Sequence, residues 1–147
     1  MHIQRAPIVD RKLRFALVGC GRIAHNHIEA LRHHADDAEL VAVCDTDPAA
    51  LSTAVQATGA AGFGSLSALL AGSQPDCVAL ATPSGLHPQQ VIEIAGAGVD
   101  AMTEKPMATR WSDGVAMVRA CDEAGVRLFV VKQNRRNRTL QLLKQAI

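Results

Sequence analysis

The stretch Leu13–Ala24 reads L-R-F-A-L-V-G-C-G-R-I-A. An apolar run with β-branched and aromatic members stops at Gly19, and a helix-period pattern begins at Arg22, which predicts a strand, a tight turn and a helix start. Gly19 permits the turn, Gly21 lets the backbone approach a pyrophosphate, and Ala24 packs the helix against the strand. An anion held there would meet unpaired backbone N–H groups and the positive end of a helix dipole.

A second predicted strand, Leu40–Cys44, ends on Asp45, which lies 21 residues after Ala24. A carboxylate at this strand tip can accept hydrogen bonds from both hydroxyls of an adenosine ribose, and its charge repels a 2′-phosphate. The spacing therefore predicts a preference for NAD over NADP. One alternative is open: Asp45 opens the turn D-T-D-P and caps the helix after it, although Asp47 is better placed for that cap.

The rest of the chain alternates between predicted strands and helices. The further strands are Ala61–Phe63, Cys77–Ala81, Val99–Met102 and Val126–Val131. The helices are Arg22–His34, Pro48 to a stop at Gly59, a short one from Ser65 to Gly72, Pro88–Ala97, Ser112–Ala124 and a last one from Thr139. Six strands with helical crossovers predict an α/β fold, a Rossmann-type doubly wound parallel sheet with helices on both faces.

Length and composition bound the class of protein. The chain has 147 residues, a formal charge of +1 at pH 7, one Trp and no Tyr. This length suits one domain, and the low charge and aromatic content do not suit a nucleic-acid platform. The first ten residues lack the apolar core of a signal peptide, and no run is long enough to span a membrane. We expect a cytoplasmic protein that binds neither nucleic acid nor membrane.

The cysteines and histidines indicate neither disulfides nor a metal site. No C-x-x-C pair occurs, so the cysteines are interpreted as structural thiols of a reducing compartment. Four histidines fall in the first predicted helix, but i, i+2 neighbours do not share a helix face, and no Cys or acid set completes a tetrahedral site. We interpret these four as exposed or capping residues: His25, His27, His33 and His34.

Polar loops follow the later predicted strands. They read T-P-S-G-L-H-P over Thr82–Pro88, T-E-K-P over Thr103–Pro106, and K-Q-N-R-R-N-R over Lys132–Arg138. Open parallel sheets bind ligands outside the carboxyl ends of their strands, so these loops and the glycine turn predict one cleft. Residues 132–147 carry basic residues and no acid, which indicates either an anion-facing segment or a solvated helix start.

Four ordered motifs, G-C-G-R-I-A, A-T-P-S-G-L-H, T-E-K-P and K-Q-N-R, each just after a predicted strand, resemble the Gfo/Idh/MocA family of NAD(P)-dependent sugar oxidoreductases. The resemblance covers nearly the whole chain from Leu13. E-K-P followed about 28 residues later by K-Q-N-R is most similar to the nucleotide-sugar branch called WlbA or WbpB. Members of that branch are UDP-N-acetyl-2-amino-2-deoxyglucuronate 3-dehydrogenases, which oxidise the sugar 3-hydroxyl in lipopolysaccharide O-antigen synthesis.

The resemblance implies roles for individual residues. The pyrophosphate would be held by Gly19, Gly21, Arg22 and Ile23, and the adenosine ribose by Asp45. The rest of the NAD cleft would be lined by Thr82, Pro83, Ser84, Leu86, His87, Glu104, Lys105 and Gln133. Lys105 would be the catalytic residue, a cation that orients the reacting hydroxyl as hydride leaves for the nicotinamide. The UDP-sugar would contact Lys105, Gln133, Asn134 and Arg135, and no metal is implied.

Members of the family continue into a second domain that covers the cofactor and builds the oligomer, which we expect to be a tetramer. We expect a flexible N-terminus over residues 1–10, and the resemblance implies an NAD-binding domain over 11–138 and the start of a truncated linker helix over 139–147. With the C-terminal substrate domain absent, we expect the fragment itself to be inactive. Two alternatives are a non-catalytic dinucleotide-binding module and a dehydrogenase of the same family for another sugar or polyol.

Two residues of this set also have simple structural interpretations. Lys105 would then only pair with Glu104 or another surface acid. His87, which precedes Pro88, would only help to cap a helix. The position of Lys105 at a strand's carboxyl end favours a functional role.

Overall fold

A computed structural model of the protein describes residues 6–146. Six parallel strands form one sheet in the order β3-β2-β1-β4-β5-β6. They are β1 (Leu13–Val18), β2 (Ala38–Cys44), β3 (Ala61–Phe63), β4 (Cys77–Leu80), β5 (Asp100–Thr103) and β6 (Leu128–Val130). The chain reverses its direction of travel across the sheet between β1 and β4, where open sheets of this class bind ligands. The predicted Rossmann-type doubly wound sheet is confirmed.

Helices cover both faces of this sheet. They are α1 (Ala24–His33), α2 (Pro48–Thr58), α3 (Leu66–Ser73), α4 (His87–Gly96), α5 (Trp111–Ala124) and α6 (Arg138–Ala146), with a 3-10 turn over Gln133–Arg136. On one face, Ala24 of α1 and Ala54 of α2 pack with Leu17 and Val43 of the central strands. The other face carries α3, α4 and α5 through buried Leu69, Ile94 and Met117.

The capping signals of the sequence agree with the structure at the start of α2 but not at the end of α3. The interpretation of Asp47 as the cap of α2 is confirmed, because its carboxylate accepts a hydrogen bond from Ala49 N at 3.0 Å. The predicted stop of α3 at Gly72 is wrong, since the helix runs on to Ser73. A Cβ at Gly72 would lie 2.7 Å from the Phe63 ring. This glycine therefore serves the packing of α3 against β3 and not the end of the helix.

The first helix begins two residues later than predicted. Residues 21–23 form a turn in which Ala24 N donates to Gly21 O at 3.0 Å and Asn26 N to Ile23 O at 3.1 Å. These i to i+3 bonds are tighter than those of an α-helix. The turn leaves Gly21, Arg22 and Ile23 outside α1 and exposed, at the mouth of the predicted cleft.

The two ends of the chain were predicted to be a flexible segment and a helix start. Residues 1–5 and Ile147 lie outside the described residues. Residues 6–9 have no regular secondary structure, and Ile8 is partly buried. The last helix is α6, whose residues are all exposed. The division of the chain into segments 1–10, 11–138 and 139–147 stays a prediction.

An ion pair between Arg11 and Asp76 lies at the amino-terminal edge of the sheet. The guanidinium of Arg11 donates to Asp76 twice, at 2.6 and 2.8 Å, and Arg14 N donates to the same carboxylate at 2.8 Å. The Arg11 hydrogen bonds, followed by the Arg14 amide, hold the pKa of Asp76 below its ordinary value. A lowered carboxyl pKa stabilises the fold above the pKa of the unfolded chain, and this contribution is lost as pH falls through the folded value.

Substitution Asp76→Asn is therefore expected to lower the melting temperature by several degrees at pH 7. The difference from wild type should begin to shrink below about pH 4, where the carboxyl of the unfolded chain protonates, and should disappear only below the lowered pKa of Asp76 in the folded protein. Thermal melts followed by circular dichroism between pH 3 and 7 measure this. Asp36→Asn, an exposed acid, is the matched control and should change little. A deficit in Asp76→Asn that is the same at every pH would contradict the assignment.

Candidate cofactor site

The glycine turn after β1 depends on Gly19 for two physical reasons. Its φ is 91°, in the region that residues with a side chain rarely adopt. A Cβ there would also lie 2.8 Å from the carbonyl carbon of Ala81 and 3.0 Å from Thr82 N. Gly19 thus lets the turn after β1 touch the backbone of the loop after β4. Sequence reasoning predicted the turn, but not this contact between loops.

Gly21 faces open space instead. No heavy atom lies within 4 Å of a Cβ built on it. In the part of the chain that the structure describes, the backbone N–H groups of Gly21, Arg22 and Ile23 donate to no protein oxygen. Three unpaired donors ahead of α1 fit an anionic group such as a pyrophosphate. Ala24 is 3% exposed, so the predicted packing of the helix against the sheet is confirmed.

Asp45 joins the end of β2 to this turn. One carboxylate oxygen accepts from Cys20 N at 2.7 Å, and the other accepts from Asp47 N at 2.9 Å. Asp45 therefore shapes the D-T-D-P turn, as the alternative interpretation held, and it also orients the glycine turn. Each carboxylate oxygen can accept a further bond, and Asp45 is only partly buried. The carboxylate can still accept hydrogen bonds from ribose hydroxyls.

Three thiols, one in the glycine turn and two in the sheet, have raised pKa values. Burial, and then the charge of Asp45, raise the pKa of Cys20 to about 11 and that of Cys44 to about 11. Burial raises the pKa of Cys77 to about 12. Protonated thiols do not attack electrophiles. All four cysteines carry free thiols, in line with their interpretation as structural residues.

The loop after β4 presents a mixed surface beside the turn. Thr82 donates its hydroxyl hydrogen to Gln90 of α4 at 2.6 Å. Leu86 N donates to Pro83 O at 2.9 Å and closes a tight turn. Pro83 and Leu86 are exposed, and Ser84 is partly exposed. The sheet order places this loop next to the glycine turn, as predicted for residues that share a cleft.

His87 does not line the cleft as an exposed residue. It is fully buried, and its Nδ1 and Nε2 lie 3.2 Å and 3.0 Å from the carbonyl oxygens of Pro106 and Thr82. The ring makes no capping hydrogen bond to α4. The interpretation of His87 as a helix cap is therefore wrong. Its buried ring lies between the loops after β4 and β5.

Glu104 and His27 form a contact that sequence reasoning missed. His27 Nε2 lies 3.0 Å from Glu104 Oε1, and both side chains are less than one-fifth exposed. The interpretation of His27 as an exposed or capping residue is wrong, because α1 presents it to the loop after β5. His25, His33 and His34 are exposed. No spacing in the sequence links the two residues, because 77 positions separate them.

Lys105 is exposed, and within residues 6–146 it has no ion-pair partner. The alternative in which it pairs with Glu104 is therefore wrong in this structure. Glu104 N donates to Leu80 O at 3.2 Å, so the backbone just before the lysine is fixed to β4. The ammonium group is left free for an anion or a hydroxyl.

Gln133, Asn134 and Arg135 lie in the 3-10 turn that follows β6. All three are exposed, and their side chains make no hydrogen bond within the described part of the chain. Strands β4 and β5 separate β6 from β1 in the sheet. The structure thus brings the loops after β1, β2, β4 and β5 together more closely than it brings the loop after β6.

Among residues 6–146, no group of three or more His, Cys, Asp or Glu is placed to hold a metal ion. None of the helices in that range is long and apolar enough to cross a membrane.

The parallel sheet, the glycine turn with unpaired N–H groups and the carboxylate of Asp45 together define an NAD-binding oxidoreductase domain. A family model described as GFO_IDH_MocA, "Oxidoreductase family, NAD-binding Rossmann fold", matches residues 13–132. The chain belongs to this Gfo/Idh/MocA family.

Solved structures and curated proteins resemble the chain to different degrees. WlbA dehydrogenase from Chromobacterium violaceum, crystallised with NADH and UDP-GlcNAcA, is 65% identical with a TM-score of 0.96, over 98% of this chain and 42% of that one. WlbA from Bordetella pertussis, with the same ligands, is 66% identical with a TM-score of 0.93, over 95% and 40%. D-apiose dehydrogenase from Paraburkholderia graminis is 38% identical over 93% of this chain and 36% of that protein. The chain spans about two-fifths of the length of such relatives.

Proposed function

We propose that this chain is the cofactor half of an NAD-dependent dehydrogenase that oxidises the 3-hydroxyl of a UDP-N-acetylglucosaminuronic acid. The main support for NAD as the cofactor is the hydrogen bond that Cys20 N donates to the carboxylate of Asp45 at 2.7 Å. It sets a negative charge beside an open anion site, which suits an adenosine ribose with free hydroxyls and disfavours a 2′-phosphate. The 65–66% identity to WlbA dehydrogenases crystallised with UDP-GlcNAcA supports the sugar.

Different residues of this chain would bind different parts of NAD. The backbone at Gly19, Gly21, Arg22 and Ile23 would receive the pyrophosphate, and Asp45 the adenosine ribose. Thr82, Pro83, Ser84 and Leu86 would line the next part of the cleft. Glu104 is held by His27 and would stand beside the nicotinamide ribose.

Lys105 is the proposed catalytic residue. Bound NAD would supply the hydride acceptor. The free ammonium group of Lys105 can donate a hydrogen bond to the reacting hydroxyl and ease the loss of its proton. Gln133, Asn134 and Arg135 would contact the sugar or its diphosphate, since a guanidinium suits phosphate oxygens.

We also propose that the full-length protein acts in the cytoplasm, in lipopolysaccharide O-antigen synthesis, as a homo-oligomer, with no nucleic-acid or membrane partner. We expect this chain to bind dinucleotide and turn over little, because it spans about two-fifths of the relatives it matches, and turnover needs walls that exclude water and position the sugar.

Cofactor binding is tested first on the 147-residue chain. Titration with NADH and with NADPH, followed by cofactor fluorescence, should show tighter binding of NADH by about tenfold or more. Native mass spectrometry of the same samples should show a single bound NADH. Equal affinity for the two cofactors, or no binding of either, would contradict the cofactor assignment.

A second substrate class has its own support. D-apiose dehydrogenases align with almost the whole chain at 34–38% identity, so a free sugar is the competing substrate. The full-length protein should reduce NAD with UDP-GlcNAcA and not with D-apiose. Reduction with D-apiose alone would favour the competing substrate. Reduction with neither sugar, by a protein that binds NADH, would favour a non-catalytic module.

A further inference from the structure

His87 is a fully buried histidine between two loops at the carboxyl edge of the sheet. Its Nε2 lies 3.0 Å from the carbonyl oxygen of Thr82, which follows β4. Its Nδ1 lies 3.2 Å from the carbonyl oxygen of Pro106, which follows β5. Because β4 and β5 are neighbouring strands, one imidazole ring connects two loops that the cofactor cleft needs.

The two carbonyl oxygens near the ring limit which side chains can replace His87. A carbonyl oxygen only accepts hydrogen bonds, so each contact requires an N–H on the ring. A neutral imidazole donates to one of the two carbonyls, whereas an imidazolium donates to both. An apolar residue of similar size would leave both carbonyls without this partner. Without the ring's hydrogen bonds neither carbonyl is held against α4, so the loops would be expected to move.

We propose that His87 is a positioning residue that ties the Thr82–Leu86 loop to the Glu104–Pro106 loop and thereby places Lys105. This inference rests on the proposed function, because it concerns the same cleft. The exposed side chain of Lys105 has no ion pair within residues 6–146, so its place depends on the backbone. Glu104 N is bonded to Leu80 O on one side of it, and His87 Nδ1 lies 3.2 Å from Pro106 O on the other.

The same ring acts on the glycine turn through Thr82. Thr82 N and the carbonyl of Ala81 are the atoms that approach Gly19 most closely, at 2.8–3.0 Å from a Cβ position built there. A displaced Thr82 would therefore press on the turn or leave it unsupported. His87 has no exposed surface, so it serves the cofactor through these loops and not by direct contact.

Three variants of the 147-residue chain separate the two hydrogen bonds. His87→Leu removes both donors and keeps an apolar side chain. His87→Gln keeps a donor near the position of Nε2, toward Thr82, and His87→Asn keeps one near Nδ1, toward Pro106. We expect His87→Leu to weaken NADH binding about tenfold or more, and one of the two amide variants to restore most of the affinity.

Val91→Ala is the matched control for general loss of stability. Val91 lies one turn further along α4 and is also fully buried, but it contacts neither loop by a hydrogen bond of its side chain. All affinities are measured well below the lowest melting temperature of the set. Val91→Ala should lower the melting temperature and leave the affinity for NADH within about twofold of wild type.

A second measurement needs no cofactor. Amide hydrogen exchange of the free protein should show faster exchange at Leu86 and Glu104 in His87→Leu, and unchanged exchange there in Val91→Ala. If His87→Leu folds, binds NADH like wild type and keeps this protection, His87 does not position the loops. If wild type binds no NADH, the proposed function fails, but the exchange data still decide whether His87 joins the loops.

Discussion

Gly19→Ala is expected to destabilise the protein by about 2–5 kcal/mol, a large part of the stability of a typical domain. Two effects add. An alanine held at a φ of 91° costs about 1–2 kcal/mol. Its Cβ, built 2.8 Å from the Ala81 carbonyl carbon, adds an overpacking cost of about 1–3 kcal/mol. Backbone atoms on both sides of the contact belong to central strand ends and have little room to move.

Urea or thermal unfolding, followed by circular dichroism, measures this loss. Gly21→Ala is the matched control, because no heavy atom lies within 4 Å of its Cβ. It should unfold like wild type, yet bind NADH about tenfold more weakly, since its methyl group enters the space proposed for the pyrophosphate. A Gly19→Ala protein that melts within about two degrees of wild type would show that the loops do not meet as described.

Asp45→Asn is expected to weaken NADH binding by about tenfold to a hundredfold, from the loss of charged hydrogen bonds to the ribose hydroxyls. NADPH should lose much less, because removing the charge also removes its repulsion of the 2′-phosphate. The ratio of the two affinities should therefore move toward one. Titration of both cofactors against the same protein sample measures that ratio.

Asparagine keeps an oxygen that can accept from one of the two amides that Asp45 binds, Cys20 N and Asp47 N. Asp45→Ala removes both bonds and should also lower the melting temperature. The control is Asp47→Ala, which deletes the cap of α2 and costs about 1 kcal/mol of stability, with no change in the cofactor ratio. If Asp45→Asn keeps the wild-type preference for NADH, Asp45 serves only the turn.

Several features could be predicted from the sequence because they rest on local chemistry. Each signal lies within a few residues of the element that it predicts. Examples are the apolar run of β1, the small residues that follow it, and the proline and glycine at the two ends of α2. The alternation of strands and helices then leaves few topologies, since parallel crossovers are right-handed and short. The conclusion that polar loops share one edge of the sheet follows from that topology alone.

The contacts between loops could not be predicted in the same way. His27 precedes Glu104 by 77 residues in sequence, and nothing in the spacing of a helix links the two. His87 precedes a proline at a helix start, which made a cap a reasonable interpretation. Its ring is instead buried against carbonyls of two loops, and only the packing of α4 on the sheet decides that orientation.

The class of fold, the family and the order of the loops along the cleft follow from the order of the residues, because periodicity, turn residues and motifs are properties of neighbouring positions. Which side chains hold those loops in place depends on the packing of the folded chain. Asp45 accepts from Cys20 N, 25 residues before it in the sequence. His27 contacts Glu104 across 77 residues. His87 contacts two carbonyls, and the carbonyl of Pro106 lies 19 residues after it. Such contacts depend on how strands far apart in the chain come to lie side by side.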